Sequence, residues 1–343
     1  MINEMPRSQN TSQLKYNLVP KNRILYFDEE AHKYTDDIKT PYTSTTTIIG
    51  NYYEKFDKKA KDIALACERI GKNPNHKKYL RYKGKTAKQL LDEWAQETIR
   101  ACDKGSKKHA YLENAIKSSN GYNRNANGFI NGRIYTIDDI IKGHNYGKLS
   151  LNYFIKTGID KLYPQIFEII SDLVKDGFKI YAEIGVYDPR FHVSGLIDIL
   201  LVRGYEFIIL DWKTNKAPIR FESGYYEKYA GGLYDGLLNL DNFIYTPDKY
   251  FYPPLQHLPD SVGNHYTLQL STYDYLVESF GFRCLGNILC HIRTVETPTQ
   301  SISEVEEEEK EEVKFLPIKY LKSDVEAMLS HYNMVHFPKN LFS

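Results

Sequence analysis

Between Tyr181 and Lys216 the chain reads YAEIGVYDPRFHVSGLIDILLVRGYEFIILDWKTNK, and this stretch constrains the fold more than any other. Ile197 to Val202 (IDILLV) and Phe207 to Leu210 (FIIL) are short, apolar and rich in β-branched residues, with Arg203-Gly204-Tyr205-Glu206 as a turn between them. Such runs predict a β-hairpin with a buried face. Charge is set against that pattern: Asp198 interrupts the first run, and Asp211 and Lys213 close the second as Asp-Trp-Lys. Residues two apart in a strand share a face, so carboxylate and ammonium stand side by side. Two carboxylates converging beside a lysine can hold a hard divalent cation, because Mg²⁺ takes oxygen ligands and keeps waters for chemistry. The lysine then orients or deprotonates one of those waters. A structural Asp211–Lys213 ion pair at a sheet edge is the alternative that the same letters allow. The Asp/Glu-x-Lys triplet recurs at Asp37-Ile38-Lys39, Asp57-Lys58-Lys59, Glu308-Glu309-Lys310 and Glu312-Val313-Lys314. None of these follows an apolar strand with an acid-bearing strand before it, so context carries the signal.

Gly195-Leu196-Ile197-Asp198 followed by Ile209-Leu210-Asp211-Trp212-Lys213-Thr214 resembles the core of the PD-(D/E)XK nuclease superfamily, in its RecB-like and phage exonuclease branch. Ile-Asp stands where the family name has Pro-Asp. Further segments extend the likeness in order. GSKKHAYLENAI, from Gly105, resembles the helix that supplies a histidine metal ligand, here His109, with Glu113 one turn on. Glu183 lies in the strand Phe178 to Val186, where members often carry a glutamate that reaches the metal; the alternative is a partner for a nearby Lys or Arg. Gln269 and Tyr273, four apart in YTLQLSTYDYLVESF, resemble the Gln-x-x-x-Tyr motif that helps hold the DNA strand, and Thr214 joins them as a DNA contact. FDEEAHKY, a Ser/Thr-rich segment and YYEKFD resemble the N-terminal part of phage-type members. Ser44, Thr45 and Thr46 can meet a phosphate there, although helix capping is the plainer role.

The resemblance implies a metal-dependent deoxyribonuclease. Asp198, Asp211 and the carbonyl of Trp212 would bind Mg²⁺ or Mn²⁺, His109 would complete the shell or engage a second ion, and Lys213 would position the attacking hydroxide, with Glu183 in the catalytic set. It implies an exonuclease of phage-type replication, recombination or repair, acting on DNA that is single-stranded or has a free end. An endonuclease of the same superfamily and a DNA-binding module with a decayed site are the alternatives.

The implied fold is α/β, a mixed central sheet flanked by helices with a restriction-endonuclease-like core and an accessory helical region. A chain of 343 residues with 42% hydrophobic content holds one large domain or two small ones. The expected organisation is a disordered arm over 1–20 and a single domain over 21–343, with a basic helical region at 54–116, a catalytic core at 178–290 and a disordered acidic loop at 297–312 joining two paired strands. Net charge is only +1, but residues 54–108 hold sixteen Lys/Arg against eight Asp/Glu, and 301–312 hold seven Glu against one Lys. The basic concentration suits a phosphate-binding surface, a solvated helical face being the alternative. No apolar run is long enough for a membrane span, and the first residues lack the apolar core of a secretory signal, so a cytoplasmic protein is expected. Four scattered cysteines without a close pair indicate neither a disulfide framework nor a zinc or iron–sulfur site.

Pattern also predicts a helix beginning near Gly105, a short helix at Ile137 to Ile141 and an amphipathic helix from Leu151 to Asp176. Strands follow at Cys284 to Arg293 and Val313 to Tyr320, then a helix at Ser323 to Tyr332 capped by Ser323. The Tyr-, Pro- and Asn-rich segment up to residue 265 reads as no core element. Its aromatics suit either stacking on unpaired bases or packing the segment down.

Overall fold

The computed structural model describes residues 18–28, 31, 33–118, 132–143, 151–231, 234–295 and 310–337. In chain order these form β1 (Leu25–Asp28), β2 (Lys33–Asp36), β3 (Pro41–Ser44), α1 (Thr45–Ile49), α2 (Asp57–Ile70), α3 (Tyr79–Tyr82), α4 (Ala87–Ser118), β4 (Arg133–Ile134) and α5 (Ile137–Ile141). There follow α6 (Leu151–Thr157), α7 (Ile159–Leu162), α8 (Pro164–Lys175), β5 (Lys179–Asp188), β6 (Val193–Arg203), β7 (Glu206–Lys213), β8 (Gly224–Lys228), β9 (Leu238–Tyr245), α9 (Val262–Glu278), β10 (Arg283–Thr294), β11 (Glu311–Ile318) and α10 (Lys322–His336). The α/β class expected from the sequence is the class found.

Among the described residues nine strands make one mixed sheet, ordered β11-β10-β7-β6-β3-β2-β1-β4 with β5 also on β6. The pairs β7–β10 and β3–β6 are parallel and the others antiparallel. The β5–β6–β7 centre follows from the apolar runs: Phe207 and Ile209 face one core, with α9 and α10, while Ile208 and Leu210 face the other, with α8. Helix α8 brings Ile166, Ile170 and Leu173 to that second core at helical spacing.

Strand β6 is longer than the apolar run suggests, and its length creates the site. It pairs with β5 from Val193 to Val202, which occupies one edge. The other edge is shared: β7 takes Ile199 to Arg203, and β3 takes Val193 and Ser194. A wedge therefore opens between β7 and β3, opposite the stretch that contains Asp198.

Several expectations are corrected. The predicted helix over Leu151 to Asp176 is three helices, because Gly158 adopts a left-handed conformation (φ 75°) and Pro164 starts α8 at its first turn. No helix begins at Gly105; α4 runs unbroken from Ala87 to Ser118, with the glycine inside it. Helix α10 begins at Lys322 with Leu321 before it, so Ser323 is not its cap. The N-terminal arm is anchored over its described end: the Val19 N–H donates to Phe280 O (2.9 Å), and Lys21 Nζ donates to Tyr187 O (2.9 Å) and Ser279 Oγ (2.7 Å) while pairing with Asp188. Glu311 and Glu312 belong to β11, which pairs antiparallel with β10 as expected; residues 296–309 of the acidic run lie outside the described residues. The Tyr-rich segment does contain structure, since β8 and β9 form a two-stranded sheet of their own.

Asp274, on the buried side of α9, accepts hydrogen bonds from Asn287 Nδ2 and Cys284 Sγ. Burial pushes its carboxyl up to about 7, against the pull of those two donors. A raised carboxyl pKa stabilises the fold at acid pH, and that contribution is lost as pH rises from near 4 through 7. Asp274→Asn is therefore expected to flatten the pH profile: between pH 5 and pH 8 the wild-type Tm should fall by about 5 °C more than the variant's. Parallel melting curves at the two pH values would contradict the assignment.

Candidate active site

The β6–β7 ladder is regular from Arg203↔Glu206 to Ile199↔Leu210 and then stops. The next pair in register would be Asp198 and Asp211. Here the strands part, and Asp198 Oδ2 accepts the backbone N–H of Trp212 at 2.9 Å, a donor that would otherwise go unpaired. On the other edge of β6, Ala182↔Ile199 and Ile184↔Ile197 bracket Glu183, which puts it opposite Asp198. Glu183, Asp198 and Asp211 thus form one row across three strands.

The alternation of faces slips in this row. Tyr181, Ile184 and Val186 share the α9-side core, as do Ile197 and Leu200, while Ala182 and Ile199 face the other core. Glu183 takes up the slip with φ 50°, a conformation that side chains other than glycine rarely adopt. Outliers of this kind persist where the surrounding structure over-determines them, often at functional sites.

Asp211 is buried and Lys213 nearly so; the Lys213 ammonium lies against Asp211 Oδ2 in an ion pair. Among the described residues Lys213 is the partner of Asp211 Oδ2, which is otherwise a buried acceptor. Burial is the largest influence on Lys213 and lowers its pKa, but Asp211 and Asp198 more than reverse it. The net shift is upward, so the side chain is an ammonium at neutral pH: it orients and donates, and does not take a proton.

Helix α4 closes one side. His109 Nδ1 stands 3.5 Å from Asp198 Oδ2. One turn earlier, a Cβ on Gly105 would lie 3.0 Å from Thr214 Oγ1, so the missing side chain lets the helix approach the end of β7. The side chain of Glu113 lies outside what the structure describes. Helix α9 closes the other side with Gln269 and Tyr273. Tyr273 is buried, and its hydroxyl accepts from Gln269 Nε2 at 3.0 Å, so it orients Gln269 and cannot itself touch a DNA strand. Trp212 is buried in the core on the α8 side, which leaves only its backbone available. Ser44 caps α1, accepting from Thr47 N at 3.2 Å, and Thr45 is buried against Ser194 O, as the capping reading expects.

Three residues missed from the sequence belong here. Tyr266 has its ring centroid 4.7 Å from Lys213 Nζ and donates its hydroxyl to Asn215 Oδ1 at 2.8 Å. His291 lies beside Lys213 in the β7–β10 register, and its Nε2 is 2.9 Å from Asn215 O. Burial lowers the His291 pKa, so the neutral ring donates from Nε2 to that carbonyl. Together they hold the lysine and the turn after it. A signal for Tyr266 was present, since it lies three residues before Gln269 on one helix face; nothing in sequence put His291 beside Lys213.

Among the described residues no three His, Cys, Asp or Glu side chains converge to hold a metal ion. His109 faces Asp198 and Lys213 faces Asp211 instead. Mg²⁺ does not require a full protein cage, because one or two carboxylates with waters and substrate oxygens suffice. Asp211, whose Oδ2 meets only the Lys213 ammonium, and the partly accessible Asp198 fit that mode. A shell completed by His109 is not what the geometry holds. No protein family, no curated protein and no solved structure matches this chain.

If Asp211 exists to neutralise Lys213, Asp211→Ala should cost about 3 kcal/mol, the range for breaking a buried ion pair. Asp211→Ala with Lys213→Met should recover most of that loss in chemical denaturation. Equal stability of the single and double variants would show that the pair carries no such burden. The ring of Tyr273 also leaves no room at Gly195, where a Cβ would lie 2.3 Å from Tyr273 Cε1. Gly195→Ala should therefore lower stability by about 1–3 kcal/mol, measured by the same denaturation.

Proposed function

We propose that the chain is a metal-dependent nuclease that hydrolyses DNA phosphodiesters, and that its resemblance to the RecB-like and phage-type PD-(D/E)XK enzymes reflects kinship. The observation that carries this reading is the placing of Asp198 and Asp211 at opposed register positions where the β6–β7 ladder opens, with the Lys213 ammonium against Asp211. A structural ion pair of Asp211 with Lys213 would not need a histidine brought from α4 against Asp198.

The donor set of Asp198, Asp211 and the Trp212 backbone would hold Mg²⁺ or Mn²⁺. Bound there, the ion would supply charge for the phosphate oxygens and a water of lowered pKa. This chain's own residues do the rest. Lys213, kept protonated by two carboxylates, is placed to orient an attacking water and to stabilise negative charge building on the phosphate. Tyr266 and Asn215 limit where that ammonium can go. His109 stands against Asp198 Oδ2, and Glu183 stands across from Asp198 in the same row. Gln269, pinned by Tyr273, and Thr214, beside α4, are the polar groups at the rim for a strand of DNA. Exonuclease action in phage-type replication, recombination or repair, in the cytoplasm, is the form of the activity that the resemblance favours.

The test is cleavage of end-labelled DNA with Mg²⁺ or Mn²⁺. Lys213→Ala should lose cleavage by about a hundredfold or more while still binding DNA, and Asp198→Asn should also lose the rise in Tm that Mn²⁺ gives the wild type. Unchanged cleavage by Lys213→Ala would remove the assignment. DNA binding without a metal response in the wild type would favour a binding module in which His109 and Lys213 have taken the cation's place.

A further inference from the structure

The two ends of the segment 50–104 lie on opposite faces of the sheet. Before it, α1 places Ile48 and Ile49 in the core on the α9 side, next to Ser194 at the start of β6. After it, α4 brings His109 to Asp198 and places Leu112 in the core on the α8 side. Strands β6 and β7 are antiparallel, so the start of β6 and the end of β7 form the same edge, the one bearing Asp198, Asp211 and Lys213. Helices α2, α3 and the first half of α4 connect the two faces, and Glu97 of α4 pairs with Lys216 (3.8 Å) just past the end of β7, so the connection runs by that edge as an arch.

The arch does not end free. The hairpin β8–β9 begins eleven residues after Lys213, at Gly224, and meets the arch at its far side. Glu227 pairs with Lys78 (3.0 Å) and Lys77 (3.6 Å), and Asp235 pairs with Arg81 (2.9 Å), whose guanidinium also donates to Tyr229 O. Asn242 Nδ2 holds the second oxygen of Glu227 at 3.0 Å, and the Gly231 N–H holds Asp235 at 2.8 Å, so both acids are fixed before they meet the cations. The base of the hairpin is tied to α9, through Gly263 N to Arg220 O (2.8 Å) and Asn264 Nδ2 to Phe221 O (3.1 Å). Sheet edge, arch and hairpin thus make a closed circuit, and residues 50–104 carry fourteen Lys/Arg against eight Asp/Glu.

We infer that the ion pairs of Lys77, Lys78 and Arg81 with Glu227 and Asp235 are a latch that restricts the substrate to an unpaired strand with a free end, which must be threaded between arch and hairpin to reach Asp198 and Asp211. The inference rests on the nuclease reading and adds the specificity device to it. None of the latch residues belongs to the catalytic row, so opening the latch changes access and leaves the chemistry alone. A chain that only needed the hairpin for packing would gain nothing from charges held in place by third groups at its tip.

The test uses the full chain in two arms. In the first, the wild type degrades linear single-stranded DNA and leaves a closed circle of the same sequence intact. Glu227→Lys with Asp235→Lys should then cleave the circle while keeping the linear activity, and adding Lys77→Glu, Lys78→Glu and Arg81→Glu should restore protection of the circle. In the second, the Lys213→Ala protein is mixed with an oligonucleotide biotinylated at both ends. Streptavidin added first should prevent binding, and streptavidin added afterwards should trap the complex against competitor DNA. Cleavage of the circle by the wild type, an intact circle with the opened latch, or binding indifferent to blocked ends would each overturn the latch while leaving the nuclease reading standing. A wild type that neither binds nor cuts linear DNA would instead defeat the reading beneath it.

Discussion

The substitution of a carboxylate for a strand partner at Trp212 is the interaction on which the rest of the site depends. A strand that stops pairing leaves N–H groups exposed inside a core, and a buried amide without an acceptor costs free energy comparable to a lost hydrogen bond. Asp198 supplies that acceptor from β6, and the two strands part with the last amide satisfied. Once they part, Asp211 and Lys213 stay paired to β10 but no longer to β6, and β3 takes the vacated edge of β6. The opening is thus a consequence of sheet pairing, and the acids at its mouth stabilise it as well as using it.

Electrostatics explain why the charges stay. A buried carboxylate and a buried ammonium each pay several kcal/mol to leave water, and mutual attraction repays this only with good geometry and further partners. Lys213 has such partners: Asp211 in contact, Asp198 across the opening and the face of the Tyr266 ring beneath it. His109 from α4 and Gln269 from α9 reach the rim from opposite faces of the sheet. Long helices here act as struts that bring single polar groups to an edge defined by strands, and two glycines make the approach close enough, Gly105 against Thr214 and Gly195 beneath Tyr273.

Much of this was legible in the order of residues. The strands β5, β6 and β7, the helix at Ile137–Ile141 and the β10–β11 pair follow from apolar runs and turn residues, because short-range period and local turn chemistry are properties of neighbouring residues. The acids inside those runs were legible as well, since charge in an apolar strand demands an explanation. Less visible were boundaries that depend on a single residue's backbone. Gly158 and Pro164 divide what the hydrophobic pattern joins, while Gly105, the same residue type, interrupts nothing inside α4. A glycine permits a break, and whether one occurs depends on what the helix packs against.

The amino-acid sequence by itself determined which residues are strand and helix in the centre of the molecule and that two aspartates and a lysine lie at strand ends, because those facts are written in spacings of two to four residues. Only the tertiary structure decided that Asp198 and Asp211 stand opposite each other in strand register, that Tyr266 and His291 support Lys213, that Tyr273 is buried behind Gln269, and that the basic helices pair with the β8–β9 hairpin. Each of these joins residues far apart in the chain. Their meeting is set by sheet register and by which face of the sheet a helix covers, and neither is encoded in any one segment.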